Sequence, residues 1–125
     1  QWVTLCLMKL FLLVHKDDAA LESFIRAVRA EKLTGFTVLP STGVGRVSRK
    51  PFEEFSFKAL SRLMTEDGER IKNVTLLSFI SDDKLPRLLE LTQLHCTDIG
   101  KPGTGLYAIL PVETIVGLLE KDVNG

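Results

Sequence analysis

Leu13-Val14-His15-Lys16-Asp17-Asp18 and, much later in the chain, Phe79-Ile80-Ser81-Asp82-Asp83 share one pattern: an apolar run ends on a pair of aspartates. Each pair precedes a segment whose apolar residues recur at helical spacing. The short carboxylate of an aspartate accepts from the open amides of a first helical turn, so each stretch reads as a strand feeding a capped helix. Two such units in one chain decide the fold.

Upstream of the first pair, Leu7 to Val14 is almost continuously apolar, as expected of a central strand covered on both faces. Downstream, Leu21, Phe24, Ile25 and Val28 mark one face of a helix that Gly35 breaks. Phe36 to Thr42 follows as a second strand. Pro40 lacks a ladder donor, which assigns this strand to a sheet edge. In the second half, Val74 to Ile80 is the third strand. A helix with Pro86 in its first turn and Leu88, Leu89, Leu91 and Leu94 on its apolar face comes next. Leu106 to Leu110 is the fourth strand, and a short helix from about Val112 to Lys121 is expected at the end.

The order β-α-β-β-α-β predicts an α+β, ferredoxin-like sandwich, with a four-stranded antiparallel sheet and both helices on one face. The other face then needs cover, and self-association is the simplest way to supply it. Residues 1–125 form one domain on this reading, with an excursion over about 47–72. Phe52, Phe55, Ala59, Leu60 and Leu63 give that excursion one helix, between Pro51 and the stop Thr65 to Gly68.

With 125 residues, 45% hydrophobic and 26% charged, the chain suffices for one core. Sixteen basic residues balance sixteen acidic ones, so no global field recruits nucleic acid or an anionic membrane. Leu5 to Val14 is interrupted by Lys9 and falls short of the roughly 20 residues of a membrane span. No membrane insertion is expected, and the run lacks the features of a signal peptide. Met8 begins a more natural opening, so residues 1–7 read either as an upstream extension or as a segment that is not native. Two cysteines, Cys6 within an apolar run, form no disulfide framework and suit a reducing cytoplasm.

Catalytic constellations are not visible, and an enzyme is not expected. His15 and His95 lack partners at metal-ligand spacing, so no metal site is expected. Cys96 as a nucleophile needs a base and an electropositive pocket. The aspartate pairs are explained by capping. Arg46, Arg49 and Lys50 make a local basic patch beside Phe52, Phe55 and Phe57, read as a solvated loop ahead of a packed helix. RNA-recognition modules share this element order, but their third strand carries stacking aromatics with basic neighbours; Val74 to Ile80 offers one Phe.

The remaining signals are two glycine pairs, Gly43-Val44-Gly45-Arg46 after the second strand and Gly103-Thr104-Gly105 before the fourth. Each suits a tight turn. Bare amides at such glycines also bind anions as a nest, without a helix dipole, if assembly brings the loops to one cleft.

From Met8 to about Leu119 the sequence resembles the nitrogen regulatory P-II family. The opening Met8-Lys-Leu-Phe-Leu-Leu-Val14 with Leu21-Glu-Ser-Phe-Ile25 is similar to that family's first strand and helix. Thr34-Gly-Phe-Thr-Val38 with Gly43-Val-Gly45-Arg46 is similar to its second strand and the opening of its T-loop. Gly103-Thr-Gly105-Leu-Tyr-Ala-Ile-Leu-Pro-Val-Glu113 is similar to its B-loop and fourth strand. The resemblance implies a cytoplasmic homotrimer and signalling protein of nitrogen regulation. It would sense an adenine nucleotide between subunits and act on a protein target through a T-loop, here the 47–72 excursion. By position it implies a ligand site of Thr37, Gly43, Gly45, Arg46, Gly103, Thr104 and Gly105, with no metal and no certain cofactor.

Departures from that pattern bear on charge. Leu106 stands where the family has its B-loop lysine, Val47 replaces the glutamine after the T-loop arginine, and Thr97 to Gly103 is longer by two residues. The only tyrosine is Tyr107, and Gly117 to Asp122 stands in place of an arginine-rich tail. Losing two or three charge-assisted contacts, at roughly 1.5–3 kcal/mol each, removes most triphosphate affinity. Weak binding of a nucleotide or related metabolite is the expectation. The alternative is a trimeric interaction module without a ligand.

Overall fold

The computed structural model describes residues 7–41 and 73–118. Six elements follow in the expected order: β1 Met8–Lys16, α1 Ala19–Ala30, β2 Thr37–Ser41, β3 Asn73–Ser81, α2 Leu85–His95 and β4 Gly105–Pro111. The four strands form one antiparallel sheet in the order β2-β3-β1-β4. This is the ferredoxin-like α+β arrangement, with β2 at an edge, as Pro40 requires.

Strand alternation divides the sheet cleanly. Phe11, Leu13 and His15 of β1 face the helices beside Leu76, Ser78 and Ile80 of β3, and all are buried. Phe24 of α1 stacks obliquely on Phe11 and Phe36, at 6.3 and 5.8 Å, while Tyr107 of β4 reaches Phe11 at 6.0 Å. Leu21, Phe24 and Val28 of α1 complete the core with Leu88, Leu91 and Cys96 of the second half.

Local chemistry explains the element ends, in part differently from the sequence reading. Asp18 caps α1, its carboxylate accepting from the Leu21 amide at 3.1 Å. The helix closes before Gly35: Lys32 takes φ 53°, and the Leu33 amide donates back to the Val28 carbonyl. The second aspartate pair does not cap α2. Ser81 to Lys84 forms a tight turn, Asp82 is drawn to the Lys9 ammonium at 2.9 Å, and Lys84 becomes an N-cap without a side-chain bond. Asp83's carboxyl is held below its ordinary range, first by the Ser81 hydroxyl and then by the amides of Asp83 and Lys84. Pro86 sits in the first turn of α2, as expected.

On α2, Leu88 and Leu91 are buried and Leu89 packs on the core as expected, whereas Leu94 is exposed and Thr92 is buried in addition. Thr92 is accommodated in the core because its hydroxyl donates to the Leu88 carbonyl at 2.8 Å and so has a partner there. The terminal helix is also corrected: Val112 to Leu118 is not helical. Pro111 ends β4, and Gly117 takes φ 99°, a conformation no helix contains. The remainder of that expected helix, the 47–72 excursion and the N-terminal extension up to residue 6 lie outside the described residues.

Candidate functional site

Cross-strand register locates the strand ends that the glycine pairs adjoin in sequence. Ser41 at the end of β2 lies opposite Asn73 of β3; Asn73 lies opposite Lys16 of β1; and His15, next along, lies opposite Gly105 of β4. The end of β2 and the start of β4 therefore share one end of the sheet. They sit on opposite edges, three strand spacings or about 14 Å apart. Gly43, Gly45 and Arg46 lie just beyond Ser41, outside the described residues.

Thr37 does not join this end. Its cross-strand row is Leu77, Leu12 and Ala108, midway along the sheet. Four residues separate it from Ser41, about 13 Å of strand. One chain thus leaves Thr37 and Gly103 to Gly105 far apart, on the β2 edge and at the mouth of β4.

Residues 96–105 form a loop closed on itself. The Ile99 amide donates to the Cys96 carbonyl, that of Lys101 to Asp98, and that of Thr104 to Lys101. The Thr104 hydroxyl lies within bonding reach of both the Asp98 and Lys101 carbonyls. Thr104 is thus a clamp within the loop, and of the amides that a nest at Gly103 to Gly105 would offer, that of Thr104 is engaged there. Gly100 and Gly103 take φ 107° and 84°, where side chains are strained. Gly105 is different in kind: at φ 150° it lies so close to the Val14 carbonyl that a Cβ would overlap it. The bare backbone at Gly105 serves strand packing.

One cation at the loop escaped the sequence reading. Lys101, two residues before Gly103, is exposed, with its ammonium 3.5 Å from the Asp98 carboxylate. So wide and solvated a pairing is weak. The signal for it was the lysine's adjacency to the glycine pair, whereas the family pattern places the cation at position 106. Leu106 itself projects an apolar side chain that is 52% exposed.

Beneath the loop, His15 lies within β1 and is only 4% exposed. The Lys16 carbonyl, 3.0 Å from Nδ1, requires a proton on that nitrogen, and the Asp18 carboxylate lies 3.5 Å away. His95 at the end of α2 shares a hydrogen bond with Ser23 of α1 through Nδ1 at 2.7 Å, bracing the two helices. The buried Cys96 thiol is pushed up to about 11, by burial first and the Asp18 carboxylate second. At neutral pH it is a thiol and a poor nucleophile. Among the described residues, no three His, Cys, Asp or Glu side chains are grouped to hold a metal ion. Nor is any helix there long and apolar enough to cross a membrane.

The class these observations define is a ferredoxin-like α+β domain, with both described helices on one face of the sheet. No family model matches the chain, and no curated protein matches it. Among solved structures it is similar to a DUF3240 family protein from Shewanella baltica, at TM-score 0.57 and 16% identity, covering 94% of this chain and 100% of that one. It is also similar to a functionally unknown protein from Pediococcus pentosaceus, at TM-score 0.57 and 15% identity, covering 90% and 99%. At such identities the likeness speaks to the fold.

Proposed function

We propose that the chain is a cytoplasmic, self-associating regulator of the P-II-like kind, three copies around an axis, binding a small ligand weakly in the clefts between copies. The observation that supports this reading is that the end of β2 and the start of β4 share one end of the sheet. β2 and β4 run in opposite directions, so β2 of one copy can meet β4 of the next as antiparallel edges with those ends together. Gly43, Gly45 and Arg46 of one copy then approach Gly103, Thr104 and Gly105 of its neighbour, and Thr37 lines the β2 side. The ligand is an adenine nucleotide or related metabolite, with Lys101 as the phosphate's counter-charge. Residues 47–72 are the contact for a regulated protein target. The buried free thiol of Cys96 suits the reducing cytoplasm.

A second reading, a trimeric interaction module without a ligand, is favoured by one observation: the Thr104 amide and hydroxyl are already engaged within the loop. Isothermal calorimetry of the purified chain with ATP, ADP and AMP separates the two. The regulator binds one of them, and Lys101→Ala weakens it about tenfold, the loss of one charge-assisted contact. No heat with any of the three removes the sensing role.

A further inference from the structure

Three sides of α1 can be told apart by what they meet. Leu21, Phe24 and Val28 enter the core, while Ser23 and Glu31 meet His95 and Arg87 of α2. Glu22, Ile25, Arg26, Arg29 and Ala30 remain on the side turned from α2, and they line an open groove of about 580 Å³. Ile25, packed in part against the core, and Ala30 make its wall apolar. Because α2 crosses from β3 to the β4 edge, the open side of α1 overlooks the opposite edge, β2. Val38 of β2 pairs with the buried Leu76 and so lies on the helix side of the sheet, yet it is 54% exposed. The helix layer therefore stops short of β2. Among the described residues, neither Arg26 nor Arg29 is in an ion pair, whereas Arg87 is engaged by both Glu31 and Glu90. Glu22, one turn before Arg26 and placed to pair with it, does not do so.

We propose that this groove docks an acidic, amphipathic segment of a partner protein, with carboxylates on Arg26 and Arg29 and an apolar side chain against Ile25 and Ala30. Charge selects the occupant. Two guanidinium forks one turn apart match carboxylates, and the apolar wall between them asks for a side chain that a free anion lacks. An amphipathic peptide laid in a groove supplies both. Single-stranded nucleic acid needs stacking aromatics, which this groove does not have, and its phosphates would also meet Glu22. An anionic membrane needs a cluster of roughly four or more cations, and two beside a glutamate do not make one. The glycine loops take no part in this contact. It stands or falls independently of the sensing role.

Phage display of random peptides against the full chain, followed by fluorescence anisotropy with the enriched peptides made synthetically, tests it. The expected sequences join two or more acidic residues to an apolar one, and their binding weakens as salt rises. Arg26→Gln and Arg29→Gln each weaken binding about tenfold with unchanged far-ultraviolet dichroism. Glu22→Gln strengthens it about threefold by removing a like charge, a gain that a merely structural role would not give. No enrichment of acidic sequences, or peptides that bind both arginine variants as well as the parent, overturns the inference. So does binding to phosphatidylglycerol vesicles that depends on the same two arginines, which would assign the groove to a membrane. Peptide binding with these signs in a chain that takes no nucleotide upholds the inference while the sensing role fails.

Discussion

Gly105 lies opposite His15 across the β1–β4 ladder, and its bare α-carbon allows the mouth of β4 to press against the Val14 carbonyl. A methyl group there meets backbone oxygen, which has no rotamer to move aside. Gly105→Ala is therefore expected to cost about 1–3 kcal/mol of stability, adding overlap to a φ of 150°. Urea denaturation followed by dichroism measures it, and an unchanged midpoint would return Gly105 to the role of a ligand-facing amide. At Gly100 a methyl group would meet nothing within 4 Å, so Gly100→Ala should lose only the smaller cost of a positive φ.

Most of the sheet was legible because its signals are local. Pro40 marked the edge strand, and the continuous apolar run of β1 marked the central one. Asp18 announced α1 through a contact only three residues long. The errors arose where a distant group competed or where a local bond let a polar side chain be buried. Asp82 leaves the α2 terminus because Lys9, far away in sequence, offers an ion pair. Thr92 is buried with its hydroxyl satisfied by back-bonding to Leu88, a possibility that hydropathy does not weigh. At the candidate site, the shared sheet end of Ser41 and Gly105 follows from strand order alone. The self-closure of residues 96–105 depends on hydrogen bonds that no spacing rule encodes.

Lys32 offers a gain in stability. Its φ of 53° closes α1 in the left-handed region, where a side chain costs roughly 1–2 kcal/mol. Glycine removes that strain and gives back part of it as unfolded-state entropy. Lys32→Gly is expected to stabilise the chain by about 0.5–1 kcal/mol, read as a higher denaturation midpoint. A lower midpoint would show that the lysine contributes a contact worth more than the strain.

Arg87 joins the end of α1 to α2 through a fork onto Glu31, at 2.8 and 2.7 Å, and also reaches Glu90 at 2.9 Å. The hydrogen bond from Arg87 holds the Glu31 carboxyl below its ordinary 4.5. Because the folded value lies below the unfolded one, the contribution to stability is fully present above the unfolded pKa. It is lost as pH falls through the folded value. A carbon-detected titration of Glu31 is expected to show a midpoint under 4.5 that rises to the ordinary value in Arg87→Ala. The effect should shrink in high salt, since the groups are solvated. Equal midpoints in both proteins would mean the fork is not maintained in solution.

Cys96 gives a kinetic readout of the core. Its thiol, buried and pushed up to about 11, leaves almost no thiolate at pH 8 and no route for a reagent. In a Cys6→Ser background, labelling of Cys96 by an aromatic disulfide at pH 8 is expected to be slower than that of the urea-unfolded chain by at least about a hundredfold. That margin combines the roughly hundredfold lower thiolate fraction with steric closure. Raising the pH toward 10 increases the native rate only as far as opening permits, so a plateau measures the opening of the α2 end against β1. Native labelling as fast as that of the unfolded chain would place the thiol at the surface. It would also reopen the pairing of Cys96 with His95 as a reactive centre.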